Sequence, residues 1–195
     1  MARKLTTINS SATVLDAMNI LHENSIRHLP VVDNGNFVGF LSESDLRQML
    51  LLPGGNEITI EEVMNKAPVT IGPDENLEDA AKLIYHYKIG GLPVLEDSKL
   101  VGIITRADIL AAFIEIMGVL QTSSRIDVIL GENPEAFEQV SRIIKQNGGD
   151  IISVGMAGTA EENKTFYFFR LKKCDIVRIA DAITEHDYEV VSVIE

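Results

Sequence analysis

Cysteine is nearly missing from this chain: Cys174 stands alone among 195 residues. No disulfide can close within the chain, which suits a reducing compartment. Basic residues are also scarce. Lys and Arg number 17 against 29 Asp and Glu, for a formal net charge of −12. Residues 1–120 carry 9 basic and 16 acidic side chains, and residues 121–195 carry 8 and 13. No cluster of Lys or Arg stands out, which argues against nucleic-acid binding through phosphate charge and against an anionic-membrane anchor. Long apolar runs are lacking too. The longest, residues 109–120, is broken by Glu115 and is too short to cross a bilayer. No apolar stretch follows Arg3-Lys4, so no secretory signal is expected. These absences point to a soluble cytoplasmic protein with no membrane or nucleic-acid partner.

Catalytic signatures are absent as well. There is no Gly-x-Ser-x-Gly elbow and no Walker-type phosphate loop. His22, His28, His86 and His186 lack ligand spacing with one another or with Cys174, so no metal site is expected. Cys174 opens an expected helix, where the dipole would lower its pKa. With no histidine nearby in sequence, it reads as a plain small residue. Asn163-Lys164-Thr165 forms a glycosylation sequon without meaning in the cytoplasm. No enzyme is expected.

What the chain does contain is a repeat. Offset by 63 residues, Leu29-Pro30-Val31-Val32 falls on Leu92-Pro93-Val94-Leu95, and Val38-Gly39-Phe40-Leu41-Ser42 on Val101-Gly102-Ile103-Ile104-Thr105. Asp45-Leu46 falls on Asp108-Ile109, Asp16-Ala17 on Asp79-Ala80, and Thr7-Ile8 on Thr70-Ile71, without a gap. So many dispersed matches at one offset mark a duplication. Each copy reads as β-α-β-β-α. A short strand holds Thr7-Ile8 or Val69-Thr70-Ile71. A helix follows, with Val14, Ala17, Met18 and Leu21, or Leu77, Ala80, Ala81 and Ile84, on one face. Thr13 and Asn76 are the expected N-caps, with Asp16 and Asp79 three residues on. Two strands come next, 29–32 and 37–41 in the first copy, joined by Asp33-Asn34-Gly35-Asn36; the second copy turns at Glu96-Asp97-Ser98-Lys99. A last helix starts near Ser44 or Ala107. One such copy buries too little surface to be stable alone, so two should make one domain.

This pattern resembles the CBS domain, the cystathionine-β-synthase-type repeat that occurs in tandem as a Bateman module. The resemblance is carried by Leu29-Pro30-Val31, Gly39-Phe40-Leu41-Ser42 and Asp45, and by Gly91-Leu92-Pro93-Val94, Gly102-Ile103-Ile104-Thr105 and Asp108. It covers residues 1–120, with copies at about 1–57 and 58–120.

Ser42-Glu43-Ser44-Asp45 and Thr105-Arg106-Ala107-Asp108 admit two readings. A hydroxyl followed three residues on by a carboxylate is close to a capping box, and that alone accounts for both copies. The same geometry suits a nucleotide: a helix N-terminus favours phosphate, and a carboxylate one turn on can accept from a ribose diol. The resemblance implies the second use, with an adenosine-containing regulatory ligand of the AMP, ADP, ATP, S-adenosylmethionine or NAD class. It further implies that Arg27, His28 and Pro30, with Gly91 and Pro93, flank the ligand, and that the backbone of Thr7-Ile8 and Thr70-Ile71 meets the adenine. The two sites differ. Arg106 is a candidate phosphate partner, whereas Glu43 in the matching position would repel one. His28 reads as a phosphate donor or as a solvated strand-end histidine. At most one tight site per chain is expected. The helices closing each copy, with Leu46, Met49, Leu50, Leu51 and Leu52 and with residues 109–120, are apolar almost all round. They should be covered, either by a second domain or by a second subunit. The resemblance favours a homodimer.

Residues 118–124 read as a helix end and linker. Beyond them come a strand at 125–130, an N-cap and Pro at Asn133-Pro134, and a helix with Phe137, Val140, Ile143 and Ile144, ended by Asn147-Gly148-Gly149. A strand at 151–156, a polar turn at 158–163, a strand at 165–171, a helix with Ile176, Ile179, Ala180 and Ile183, and a strand at 188–194 complete the order βαββαβ. That is the ferredoxin-like order. The proline after the first strand and Gly149-Asp150-Ile151 after the first helix resemble the ACT domain, over residues 125–195. ACT domains place Gly after that proline, whereas Glu135 stands here and would oppose an amino-acid carboxylate. Glu132, Asn133 and Glu135 would line any pocket, and pairing between copies is the simpler role. The whole chain is thus expected to be α/β (α+β), tandem CBS repeats followed by a ferredoxin-like ACT-like domain. It resembles the acetoin-utilisation AcuB type of bacterial protein. Two functions compete: a sensor that signals adenosine-ligand binding through the ACT-like domain or a protein partner, and a dimerisation scaffold that binds no ligand.

Overall fold

The computed structural model describes residues 5–131, 133–158 and 165–195. The chain forms two compact units, Met1–Leu110 and Ala111–Glu195. In the first, each copy contributes one helix, a hairpin and a closing helix. The first copy runs α1 (Val14–Glu23), β1 (His28–Asp33), β2 (Asn36–Ser42) and α2 (Glu43–Leu50). After the short helix α3 (Ile60–Val63), the second copy runs α4 (Leu77–Tyr87), β3 (Gly91–Glu96), β4 (Lys99–Thr105) and α5 (Arg106–Ile116).

The expected leading strands shrink to single bridges, Ile8 to Val31 and Ile71 to Val94. The prolines explain how they fit. The Ile8 N–H donates to the Pro30 carbonyl at 3.0 Å, and Ile8 accepts from the Val32 N–H at 2.8 Å. Pro30 therefore sits where the ladder requires no donor, and Pro93 repeats this with Ile71 and Leu95. Both hairpins turn through two left-handed residues, Asn34 and Gly35 (φ 50° and 83°) or Asp97 and Ser98 (47° and 65°). That turn matches the right-handed strand twist.

The two N-caps diverge. Thr13 and Asp16 form a full capping box, the Thr13 hydroxyl donating to Asp16 Oδ2 at 2.7 Å and accepting from the Asp16 N–H at 3.1 Å. The Asn76 side chain accepts no such bond: the Asp79 N–H donates to the Asn76 carbonyl at 3.1 Å, and the Asp79 carboxylate accepts from Lys82 at 3.1 Å and from Asn76 Nδ2 at 3.5 Å.

Packing does not respect a division between residues 57 and 58. Ile60 is fully buried in the core of the first copy, with Val14, Leu21, Leu29, Leu41 and Leu46. Its N–H donates to the Ala12 carbonyl, and Val14 donates to Ile58, so residues 58–60 are stitched to the start of α1. We expect Ile60→Val to lower stability by about 0.5–1.5 kcal/mol, as for a core methylene. Chemical denaturation checks this, and a change near zero would return the segment to the status of a linker.

The second unit contains β5 (Ser123–Ile129), α6 (Ala136–Gln146), β6 (Ile151–Gly158), β7 (Thr165–Lys172), α7 (Ile176–Thr184) and β8 (Glu189–Ile194). Its sheet has the order β6-β7-β5-β8, every pair antiparallel, which is the ferredoxin-like topology. Ile126, Val128, Phe169 and Leu171 from the sheet meet Val140, Ile144, Ile179 and Ile183 from the helices in one core.

Two expectations are corrected by the second unit. Residues 118–124 are not a free linker: Ser124 is fully buried within β5, and a Cβ on Gly118 (φ 65°) would lie 2.7 Å from Ile152. Helix α6 starts at Ala136 with Glu135 as its N-cap, and Asn133 instead closes the turn before it, its Oδ1 accepting from the Glu135 N–H at 3.0 Å. Of the two covers expected for the second closing helix, a second domain leaves Leu110 and Ile116 of α5 60% and 64% exposed, and Leu120 beyond it 85% exposed. No helix among the described residues is long and apolar enough to cross a membrane.

Candidate functional site

Within the first unit lies a cavity of about 970 Å³. The first copy contributes His28 from β1, Phe40 from β2, and Ser42, Asp45, Gln48 and Met49 around α2. Residues 62–65 and 67–69 close one side, and residues 87–91 with Arg106 come from the second copy.

The α2 end is built by its cap. Asp45 Oδ2 accepts from the Ser42 N–H at 2.9 Å and from the Ser42 hydroxyl at 2.6 Å. Thr105 and Asp108 repeat this box on α5, at 2.8 and 2.6 Å. The capping reading therefore holds in both copies, and the structure separates their surroundings. Ser42 and Asp45 line the cavity, whereas Thr105 and Asp108 do not. Burial pushes the Asp108 carboxyl up while the Thr105 hydrogen bonds pull it down, and the group lies below the ordinary carboxylate value.

Residues 62–69 reach the cavity through an antiparallel bridge between Phe40 and Asn65, with two N–H···O bonds of 3.0 Å. Gly39 is what allows that approach, since a Cβ there would lie 2.5 Å from Met64 Sδ.

His28 occupies the seam between the copies. Its ring stacks on Phe40 with centroids 5.8 Å apart and planes 10° off parallel. A Cβ on Gly90 would lie 2.4 Å from its Nε2. The two glycines before Leu92 are thus the space that the histidine fills. Burial, then the Arg106 charge, hold the His28 pKa below its ordinary value, with Asp45 opposing.

Arg106 lies on the other side of Gly90, its own N–H donating to the Gly90 carbonyl at 3.1 Å. Its guanidinium is not wholly free for a phosphate, as the sequence suggests. Nε donates to the Ile89 carbonyl at 2.8 Å and Nη2 to the Lys88 carbonyl at 2.9 Å. These carbonyls lie just past the end of α4, where Lys88 is a left-handed C-cap (φ 55°). Two of the five N–H donors are used, so three stay available to a ligand.

The remaining expected residues lie elsewhere. Arg27 is 84% exposed in its side chain and lies 4.0 Å from Glu43, which Arg47 holds at 2.6 Å. Both Arg27 and Glu43 line a separate depression of about 370 Å³, so Glu43 does not oppose an anion in the large cavity. Thr70 and Ile71 line another depression with Glu75, Asp79 and Lys82. Thr7 is exposed on the strand start, Ile8 is 6% exposed in the core, and Pro30 and Pro93 are buried in their strands. Of the expected residues, His28, Ser42, Asp45, Gly91 and Arg106 come together. Phe40, Gln48, Tyr87 and Lys88 line the cavity without having been expected to. The Tyr87-Lys88 pair escapes notice because a left-handed lysine leaves no glycine as a marker.

In the second unit Asn133 and Glu135 are both exposed, and Glu132 lies outside the described residues, as do positions 163 and 164 of the sequon. Cys174 precedes the α7 N-cap, and burial pushes its thiol up rather than down. Among the described residues no group of three or more His, Cys, Asp or Glu side chains could hold a metal ion.

The sequence and the fold both have close parallels among known proteins. The family model for the CBS domain matches residues 1–52 and 60–115. A CBS domain-containing protein of Dictyostelium discoideum is 38% identical over 130 residues, 60% of this chain and 90% of that protein. Several other curated relatives are far longer, and the chain covers 21% of an L-aspartate semialdehyde sulfurtransferase of Methanocaldococcus jannaschii. Three solved structures share the fold. CBSX2 in complex with AMP is 32% identical with TM-score 0.53, covering 58% of this chain and 90% of its own. The CBS-domain pair of protein MJ0100 with 5′-methylthioadenosine and S-adenosyl-L-methionine is 34% identical with TM-score 0.54, over the same shares. An acetoin-utilisation protein (AcuB) from Vibrio cholerae is 31% identical with TM-score 0.55, covering 61% and 90%. The matched segments hold both β-α-β-β-α copies and their two capped closing helices, and the chain belongs to the CBS-domain family.

Proposed function

We propose that this protein is a regulatory sensor that binds one adenosine-containing ligand in the cavity between its CBS repeats, and that it is not an enzyme. The observation that carries this is the cavity itself, where the capped N-terminus of α2 faces His28 and Arg106 across about 970 Å³. Ser42 and Asp45 hold the ribose diol in this reading. Arg106 and Lys88 meet the anionic end, and Tyr87 with the backbone near Val69 flanks the base. The ligands named for CBSX2 and MJ0100, AMP and adenosyl thioethers or sulfonium compounds, support the class. The second unit takes the ACT-like role, and the arrangement is of the AcuB type. Binding shifts a conformational equilibrium only as far as the ligand prefers one state. A partner protein or the ACT-like unit then reads that shift.

The exposed apolar residues of α5 and the segment after α2, with Leu51 at 84%, support homodimer formation through those helices. The scaffold reading keeps that dimer without a ligand.

A thermal-shift screen of the whole chain against AMP, ADP, ATP, S-adenosylmethionine and NAD tests the sensor reading. We expect one adenosine compound to raise Tm, Asp45→Ala to remove the rise, and Asp108→Ala to retain most of it, since only Asp45 lines the cavity. No shift with any compound, in protein shown by mass spectrometry to carry no nucleotide, would favour the scaffold.

A further inference from the structure

We propose that His28 couples ligand binding to proton uptake, so that a phosphate-bearing adenosine ligand binds more tightly as the pH falls below neutrality. This deepens the sensor reading and rests on it. The geometry comes first. The imidazole is part of the cavity lining, yet it is gripped from both copies, by the Phe40 ring on one side and by Gly90 and Gly91 on the other. It cannot swing away to solvent without opening the seam between β1 and the start of β3. Whatever fills the cavity therefore meets this ring in a fixed place.

Arg106 faces the imidazole from α5, Asp45 from α2, and Arg27 is its chain neighbour. Lys88 and Glu62 also line the cavity. Burial and Arg106 make an imidazolium unfavourable, so the ring is neutral at neutral pH when no anion lies beside it. The folded group protonates below the 6.5 of the free side chain, so stability tied to it is complete above that value and declines as the pH falls below it. A phosphate oxyanion beside Arg106 reverses the balance. It offsets the arginine charge and gives the imidazolium a partner. Linkage is reciprocal: if the anion raises proton affinity, the proton raises anion affinity by the same factor. Uncharged adenosine supplies no such term.

The experiment is isothermal titration of the whole chain with adenosine 5′-(methyl phosphate) and with adenosine. The diester keeps one negative charge across the range, whereas a phosphate monoester titrates near pH 6 itself. From about pH 7.5 to about pH 6 the diester should bind about threefold to tenfold more tightly, since one linked proton allows at most about tenfold per pH unit. Adenosine should change little, and His28→Gln should flatten the diester profile. NMR titration of the wild-type histidine C–H signals needs no variant: one of the four should move to a higher pKa when the diester is bound. If both compounds bind with flat pH profiles and no histidine shifts, the proton coupling is wrong and the ligand site stands. If neither binds, both proposals fall.

Discussion

Gly90→Val is expected to abolish adenosine-ligand binding while costing about 1–3 kcal/mol of stability, the usual range for overpacking a filled site. A Cβ at residue 90 meets His28 Nε2 at 2.4 Å and Cε1 at 2.9 Å. The ring cannot retreat, because Phe40 lies stacked behind it. The only relief is for the ring to turn into the cavity or for β1 and β3 to part. Either movement displaces Arg106, whose backbone N–H is bonded to the Gly90 carbonyl. Adding His28→Ala to Gly90→Val should recover much of the stability, because the small residue makes room for the valine. The double-mutant cycle reads that coupling directly. Additive effects, measured by chemical denaturation, would show that the ring and the glycine do not constrain each other.

Phe169→Ala is expected to cost about 3–5 kcal/mol, and to cost it in the second unit. Phe169 is fully buried at the centre of β7, paired with Ile126 of β5 and Val154 of β6, with Phe137 stacked 5.9 Å away. At about 4–8 °C per kcal/mol for a unit of this size, its melting transition should fall by more than about 10 °C. Each unit has its own buried cluster, so the first unit should keep its transition and its ligand-induced shift. Calorimetry with and without ligand reports both. A single transition lowered as a whole would mean that the two cores fold as one.

The fold was largely legible because its signals are local. A threonine three residues before Asp16, an Asn-Gly turn at residues 34 and 35, and the alternation of helix and strand after residue 123 each act within a few residues. The duplication doubled that evidence. What escaped was whatever depends on contacts distant in sequence. Nothing local tells that Ile60 fills the first core, or that Ser124 is buried in a strand rather than free in a linker. The cavity shows the same division. Ser42 with Asp45 could be found from their spacing, and Arg106 from its place beside Thr105. That Arg106 is half spent on the carbonyls of residues 88 and 89 depends on a left-handed lysine, which sequence does not mark. The sequence showed that the two sites differ but not which of them faces a cavity. Among the described residues Asp45 lines the cavity beside residues 62–69, and Asp108 is not part of that lining.

The stitching of residues 58–65 to the first copy also governs how the gene can be cut. A fragment ending at residue 57 would lack Ile60, the carbonyl of Ile58 that receives Val14, and the strand segment that pairs with Phe40. Its core would be open on one side and would attract proteases or other chains. A circular permutant with new ends in the turn at residues 97 and 98 breaks none of these bonds. The arithmetic repeat of 63 residues and the unit that can be expressed, moved or fused are therefore different lengths of chain.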